Sequence, residues 1–188
     1  MKKGVLVVVI LVAIVLVGIV WYIGGLNKVV RMDEAVAESW AQIDTQLQRR
    51  SDLIPNLVET AKGYVKHERG VFTEIANARA AMMGAKTVED KIASAKGLDT
   101  ALSRLMLIVE NYPNLKADQH FRGLMDELAG TENRISVARM RYNRDVKTFN
   151  TYIREVFGKF FAKKRGLDRP HPYFEVEEKA KEVPQVKF

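Results

Sequence analysis

Nineteen consecutive residues near the N-terminus, Val5 to Ile23, carry neither a charge nor a proline. As a helix rising ~1.5 Å per residue, a run of that length covers ~28 Å, close to the ~30 Å hydrocarbon core of a bilayer. A helix satisfies its own backbone in lipid, so a run rich in valine and isoleucine is acceptable there despite modest helix propensity. Trp21 and Tyr22 close the run, where aromatic rings favour the headgroup region. The run exceeds the ~7–15-residue apolar core of a cleaved signal peptide, and no A-x-A-like site follows it. It reads as an uncleaved, single-pass anchor in the cell (inner) membrane, preceded by a short basic stretch at residues 1–4. Lys2, Lys3 and the terminal amine slightly outweigh Lys28 and Arg31. The positive-inside rule therefore leans towards a cytoplasmic N-terminus and an extracytoplasmic domain.

Beyond the anchor the chain is patterned for helices. Val36, Trp40, Ile43, Leu47, Ile54, Leu57, Ala61, Val65, Phe72 and Ile75 form one stripe at spacings of three and four. Pro55 should kink or interrupt it, yet the phase survives, which favours one long kinked helix with its exit near Gly84. Thr87-Val88-Glu89-Asp90 fits a capping box and opens a second helix, with Ile92, Ala95, Leu98, Leu102, Leu105, Val109 and Tyr112 on its face. Pro113 ends that helix. Leu115 to Asp118 opens a third, striped by Phe121, Leu124, Leu128, Ile135, Ala138, Tyr142, Val146, Phe149, Ile153 and Val156. Stripes of this kind must be buried against one another. The expected architecture is all-α: a transmembrane helix followed by an elongated antiparallel helical bundle over residues 26–158. A basic and aromatic segment follows at 159–175. The tail at 176–188 is charged, short of core residues and expected to be disordered.

Catalytic chemistry is hard to find. The chain has no cysteine, which excludes disulfides, thiolate nucleophiles and Cys-ligated zinc. It has three histidines, His67, His120 and His171. His67-Glu68 starts like H-E-x-x-H, but Val71 stands at the second histidine position. Tyr64 and Ala117 stand where di-iron bundles place the Glu of an E-x-x-H pair. Asp168-x-x-His171 has the spacing but lies beside two prolines in an expected loop. There is no G-x-S-x-G, P-loop or G-x-G-x-x-G, so no cofactor, metal or catalytic residue is assigned. The net charge of +7 falls to +5 once Lys2 and Lys3 are set aside. That charge is dispersed, so nucleic acid is not an expected partner.

The informative polar residues crowd the stripes. Asp44, Gln48, Arg49, Arg50, Asp52, Asn56 and Glu59 fall within four turns, and Glu132, Asn133, Arg134, Arg139, Asn143, Asn150 and Arg154 repeat the pattern later, with Glu110 between the two groups. Arginine forks and amides suit interhelical hydrogen bonding that fixes register; the competing reading is a partner surface. Lys159, Lys163, Lys164, Arg165 and Arg169, next to Phe160 and Phe161, form a candidate lipid-facing group.

These residues carry a resemblance. Asp33-Glu34-Ala35-Val36 with Trp40, the block Gln46 to Thr60, Gly63-Tyr64, His67-Glu68, Val109-Glu110-Asn111-Tyr112-Pro113, Leu115-Lys116-Ala117, Thr131-Glu132-Asn133-Arg134-Ile135, Ala138-Arg139, Tyr142-Asn143, Asn150, Ile153-Arg154 and Tyr173-Phe174-Glu175 are similar to the LemA family. The resemblance runs from about residue 26 to residue 175. It implies a bacterial membrane-anchored helical bundle without assigned catalysis, often encoded near membrane proteases or TPM-domain proteins, which points to envelope quality control or signalling. One departure is visible. The family commonly has a Phe-Pro pair soon after Ile-Arg, whereas Arg154 is followed here by Glu155-Val156-Phe157-Gly158. The last helix is therefore expected to end differently.

Three functions compete at this point. The first is a membrane-tethered scaffold or adaptor with a protein partner, a membrane protease or TPM-domain protein among the candidates; an extended helical face also leaves self-association open. The second is an enzyme using carboxylates near Glu110 and Glu132, for which helix-surface ion pairs are the plainer explanation. The third is binding of anionic lipid by the segment Lys159 to Arg169.

Overall fold

The structure is a computed structural model that describes residues 2–65 and 68–175. Its helices are α1 (Lys2–Lys62), α2 (Arg69–Gly84), α3 (Val88–Val109), α4 (Pro113–Ala117), α5 (Gln119–Tyr152) and α6 (Val156–Arg165). Among the described residues there is no strand. The all-α architecture of an apolar N-terminal helix and a helical bundle is therefore as the sequence predicts. His67 and the tail at 176–188 lie outside the described residues.

The described chain divides into two compact units. One comprises the chain up to Ser39 together with Tyr142–Tyr173, and the other comprises Trp40–Arg141 together with the residues from Phe174. Helices α1 and α5 contribute to both. In the second unit, cross-helix bonds fix the directions. Arg79 of α2 lies against Ser51 of α1, and Arg104 of α3 pairs with Glu74 of α2 at 2.6 Å. Arg50 of α1 pairs with Glu132 of α5 at 2.7 Å. α2 thus runs back along α1, and α3 back along α2; α5 opposes α1. The stripes face inward: Ile43, Ile54, Leu57, Ile75, Leu98 and Leu105 are almost wholly buried. Each such side chain contributes roughly 1.5–3 kcal/mol relative to exposure. Thr87 caps α3 as expected, its hydroxyl accepting the Asp90 amide at 3.0 Å.

The helix expected to open at Leu115 to Asp118 is divided, α4 ending at Ala117 and α5 starting at Gln119 beyond an extended Asp118. Two further boundaries differ from the sequence reading. α1 continues through Pro55, as the surviving phase favours, but it breaks between Lys62 and Arg69 instead of running on to Gly84. A proline at position 55 cannot donate to the carbonyl four residues back, that of Ser51. Ser51 is fully buried, so water cannot replace the lost bond. Arg79 does so, its Nε donating to the Ser51 carbonyl at 3.0 Å. The helix survives its proline because a neighbouring helix repairs it. The second difference lies at the end of α5. The stripe reading carries that helix to Val156, but the helix stops at Tyr152 and α6 begins anew after an extended Glu155. Ile153 is buried, whereas Val156 is 84% exposed. Gly158 permits the corner: a β-carbon there would sit 1.8 Å from the Tyr152 carbonyl oxygen. α6 then ends at Gly166, whose φ of +70° lets Leu167 N–H close back on the Ala162 carbonyl at 2.9 Å.

Between α4 and α5, Asp118 acts as a cap. Its Oδ1 accepts the Phe121 amide at 2.8 Å, and its Oδ2 accepts the Tyr64 hydroxyl at 2.9 Å. The Phe121 amide first, and the Tyr64 hydroxyl second, hold the Asp118 carboxyl below its usual 3.8, while Tyr64 is raised above 10.0 by the same bond.

Two predictions follow from these geometries. Arg79→Met should destabilise the chain by about 1–3 kcal/mol, the cost of an unsatisfied buried acceptor. Restoring the Ser51 partner with Pro55→Ala should remove most of that loss, so that denaturation of the four members of the cycle shows strong coupling. Asp118→Asn keeps a capping oxygen but removes the charge. Because the Asp118 pKa is depressed by folding, its charge stabilises above the ordinary carboxylate value and ceases to do so as pH falls through the folded value. The stability gap between parent and Asp118→Asn should therefore be widest near neutrality and close in acid, as read by urea unfolding at a series of pH values.

Candidate functional site

The most buried charged group of the second unit is Arg50, which sequence reasoning placed in a polar cluster on α1. Its side chain is 11% exposed. The Nη1 atom lies 2.6 Å from Asp99 Oδ1 on α3 and 2.7 Å from Glu132 Oε2 on α5. One guanidinium thus ties three helices. Its Nε is buried without a hydrogen-bond partner among the described residues. A cleft of about 340 Å³, lined by Leu102, Met106, Met125 and Leu128, opens on the triad. A fixed guanidinium between two carboxylates offsets the repulsion between them, which suits a register lock better than a pair of groups trading a proton.

The other predicted polar residues take separate partners. Asp44 pairs with Lys91 of α3, and Arg49 lies 3.9 Å from Glu127 of α5. Gln48 donates to Asp52 at 2.9 Å within α1, and Glu59 pairs with Lys62 at 2.8 Å. Asn56 is exposed, its carbonyl accepting from Thr60 at 2.8 Å. Glu110 pairs with Lys116 at 2.6 Å on the surface, so Glu110 and Glu132 bind different cations rather than each other. Arg139 lies over the Phe174 ring at 5.7 Å. Asn143 is half-buried and Arg154 exposed. Among the described residues no three His, Cys, Asp or Glu side chains gather in a way that could hold a metal ion.

Asn133 and Arg134 join a groove. With Val137, Ala138 and Arg141 of α5 they face Gln42, Thr45 and Gln46 of α1 around about 510 Å³. The Gln46 Oε1 atom is buried there without a hydrogen-bond partner among the described residues. Val137 and Met140 are large apolar side chains left exposed on the same stretch of α5.

The first unit has its own polar and aromatic centres. Asn150 brackets the His171 backbone, accepting its amide and donating to its carbonyl, both at 2.9 Å. The His171 ring lies 2.8 Å from Asp33 and 4.8 Å from the Phe149 centroid. Tyr142 donates to the Pro172 carbonyl at 2.9 Å. Lys28 sits over the Tyr152 ring, whose hydroxyl is raised in pKa by burial and then by Glu155. Lower on α1, Trp21 and Tyr22 meet the aromatic rings of α6. Trp21 lies 5.3 Å from Phe157 and 5.2 Å from Phe161, and Tyr22 lies 6.3 Å from Phe160. Gly25 makes the approach feasible, since a β-carbon there would fall 2.3 Å from the Phe161 ring. Lys159, Lys163, Lys164, Arg165 and Arg169 are all exposed.

Asp99, Arg79 and Lys91 were not singled out in the sequence, and Gln46 only as the start of the family-like block. Asp99 follows Leu98 at the edge of an apolar face, the one place a charge can reach a neighbouring helix. Pro55 announces that a donor must serve Ser51 but does not say which residue supplies it.

A sequence profile of the LemA family matches residues 39–188. Among curated relatives, magnetosome protein MamQ 2 of Paramagnetospirillum magneticum is 25% identical over 153 residues, covering 68% of this chain and 56% of the relative. Magnetosome protein MamQ of Magnetospirillum gryphiswaldense is 25% identical over 175 residues, covering 79% and 64%. The chain therefore spans somewhat over half the length of these relatives.

Arg50→Met should strand Asp99 and Glu132 opposite each other and destabilise the second unit by about 1–3 kcal/mol. Adding Asp99→Asn and Glu132→Gln should recover much of the loss, as measured by thermal unfolding of the full chain in detergent.

Proposed function

The chain belongs to the LemA family, and from that premise we propose that it is a membrane-tethered adaptor that offers a bundle groove to an acidic helical segment of another envelope protein. The firm ground beneath this reading is a membrane-associated, LemA-type helical chain. Among its described residues, one helix is long and apolar enough to cross a membrane, with a best window of mean hydropathy 3.3 that is entirely unburied.

The groove between α1 and α5 carries the reading. Its two free-facing arginines, Arg134 and Arg141, call for negative charge, while Gln42, Gln46 and Asn133 offer amides to a polar backbone or side chain. The buried Gln46 Oε1 is an acceptor awaiting a donor. Val137 adds an apolar contact. A groove flanked by two helices suits a third amphipathic helix. Tethering raises the effective concentration of any partner in the same membrane, so modest affinity suffices. In this reading the anchor lies in the inner membrane and the bundle faces the extracytoplasmic side. The partner is a membrane protease, a TPM-domain protein or another client of envelope quality control, as the family resemblance implies.

Photo-crosslinking in native membranes tests the proposal. A crosslinker at Val137 should give a discrete adduct that is lost on Arg134→Glu and Arg141→Glu, while one at the exposed Leu107 of α3 gives none. Adducts insensitive to the charge reversals, or containing this chain alone, would refute the adaptor reading. Protease accessibility in intact against lysed cells decides the orientation.

A further inference from the structure

The end of the apolar span fixes the depth of a second helix. Val5 to Ile23 is just long enough for the hydrocarbon core, so Trp21 and Tyr22 reach the headgroup boundary. α6 touches both rings through Phe157, Phe160 and Phe161. Within that unit α6 therefore lies at headgroup level whichever way the anchor is oriented. Its ten residues hold four cations, Lys159, Lys163, Lys164 and Arg165, and no acid. The side turned to α1 buries Gly158, Phe161 and Ala162. Val156, Phe157 and Phe160 nevertheless stay exposed by 84%, 63% and 47%. On a helical projection Val156, Phe160 and Phe157 span one sector of about 100°, with Lys159 and Lys163 on one flank and Lys164 within it beside Phe157. Exposed rings flanked by long basic side chains form the pattern of a helix lying in a membrane interface, apolar residues among the acyl chains and cations reaching the phosphates. No ion pair to these four cations is found among the described residues, and Lys164 instead sits 6.0 Å from the Phe160 ring centroid.

We infer that α6 is an interfacial helix that seats the domain on the bilayer surface and collects anionic lipid beside the anchor. The occupant of its open face is lipid rather than a second copy, because the face begins where the span ends and because its cations match a phosphate-bearing surface. The contact is independent of any protein partner at the bundle groove.

The chain has no cysteine, so a single introduced one can be labelled uniquely. The full chain with Val156→Cys, carrying an environment-sensitive fluorophore, is reconstituted into phosphatidylcholine vesicles with and without a one-quarter share of phosphatidylglycerol. Leu107→Cys on α3, 72% exposed, serves as the control. The label at 156 should be quenched by brominated lipid and shielded from aqueous acrylamide, and the label at 107 should behave in the opposite way. Brominated phosphatidylglycerol should quench position 156 several-fold more strongly than brominated phosphatidylcholine at the same mole fraction. That preference should fall to parity in high salt, and in the variant carrying Lys159→Gln, Lys163→Gln, Lys164→Gln and Arg165→Gln. The salt arm needs no substitution and so separates lost attraction from misfolding. Equal access of acrylamide to 156 and 107 would overturn the inference. So would shielding that vanishes when protein is diluted with lipid, which marks a second copy as the occupant, and so would equal quenching by the two brominated lipids in the parent chain.

Discussion

The helical continuity of α1 past Pro55 is the constraint on which the rest depends. The first part of that helix is long and apolar enough to cross a membrane, where it would have only its own carbonyls and amides to bond with. The later part carries the stripe on which α2, α3 and α5 assemble. A break at Pro55 would divide that stripe and release the Ser51 carbonyl into a dry core. Arg79 prevents this with one charge-assisted bond. The proline is thus a demand placed on α2, and the bond that meets it also sets how far along α1 the second helix lies.

The stripes were legible because helical burial repeats with the helical period. Val36, Ile43, Leu47, Ile54, Leu57, Ala61, Phe72 and Ile75 are buried as their spacing requires, and so are Ile92, Leu98, Leu105, Phe121, Ile135 and Phe149. Breaks were harder to read, because a phase can persist across a short turn. The break between Lys62 and Arg69 left the stripe in register, so periodicity carried the helix past it. The corner at Ile153 to Glu155 was hidden for a different reason. It depends on a glycine packed against the carbonyl of Tyr152, a contact between backbones that leaves no side-chain signature. The departure from the family pattern after Arg154 was the only hint.

For the polar residues, composition was a better guide than position. Arginines and amides crowding an apolar face signal interhelical bonding, and Arg50 and Asn150 do bond across elements. The partners stayed invisible because an ion pair needs only one residue with an unusual environment. Arg50 is buried and stands out; Asp99 and Glu132 are about half exposed and look like ordinary surface acids. Asn150 shows the same asymmetry. Its amide reads as a helix-helix contact, yet it serves the main chain of His171, a segment with no periodic pattern at all.

This placement of charge also explains how so apolar a bundle keeps one register. Leucine and isoleucine faces can slide by a turn at modest cost, because dispersion and burial are insensitive to which neighbour supplies them. A guanidinium shared by carboxylates from two other helices cannot slide, because a shift of one turn, about 5.4 Å, leaves an unpaired charge in a partly dry site. The Lys91–Asp44 and Arg104–Glu74 pairs repeat the device nearer the surface, where screening weakens each. Arg50 is the strongest of these pins because it is the most buried. Binding at the neighbouring groove of α1 and α5 would therefore be felt by helices already fixed in place, which is what a rigid docking face requires.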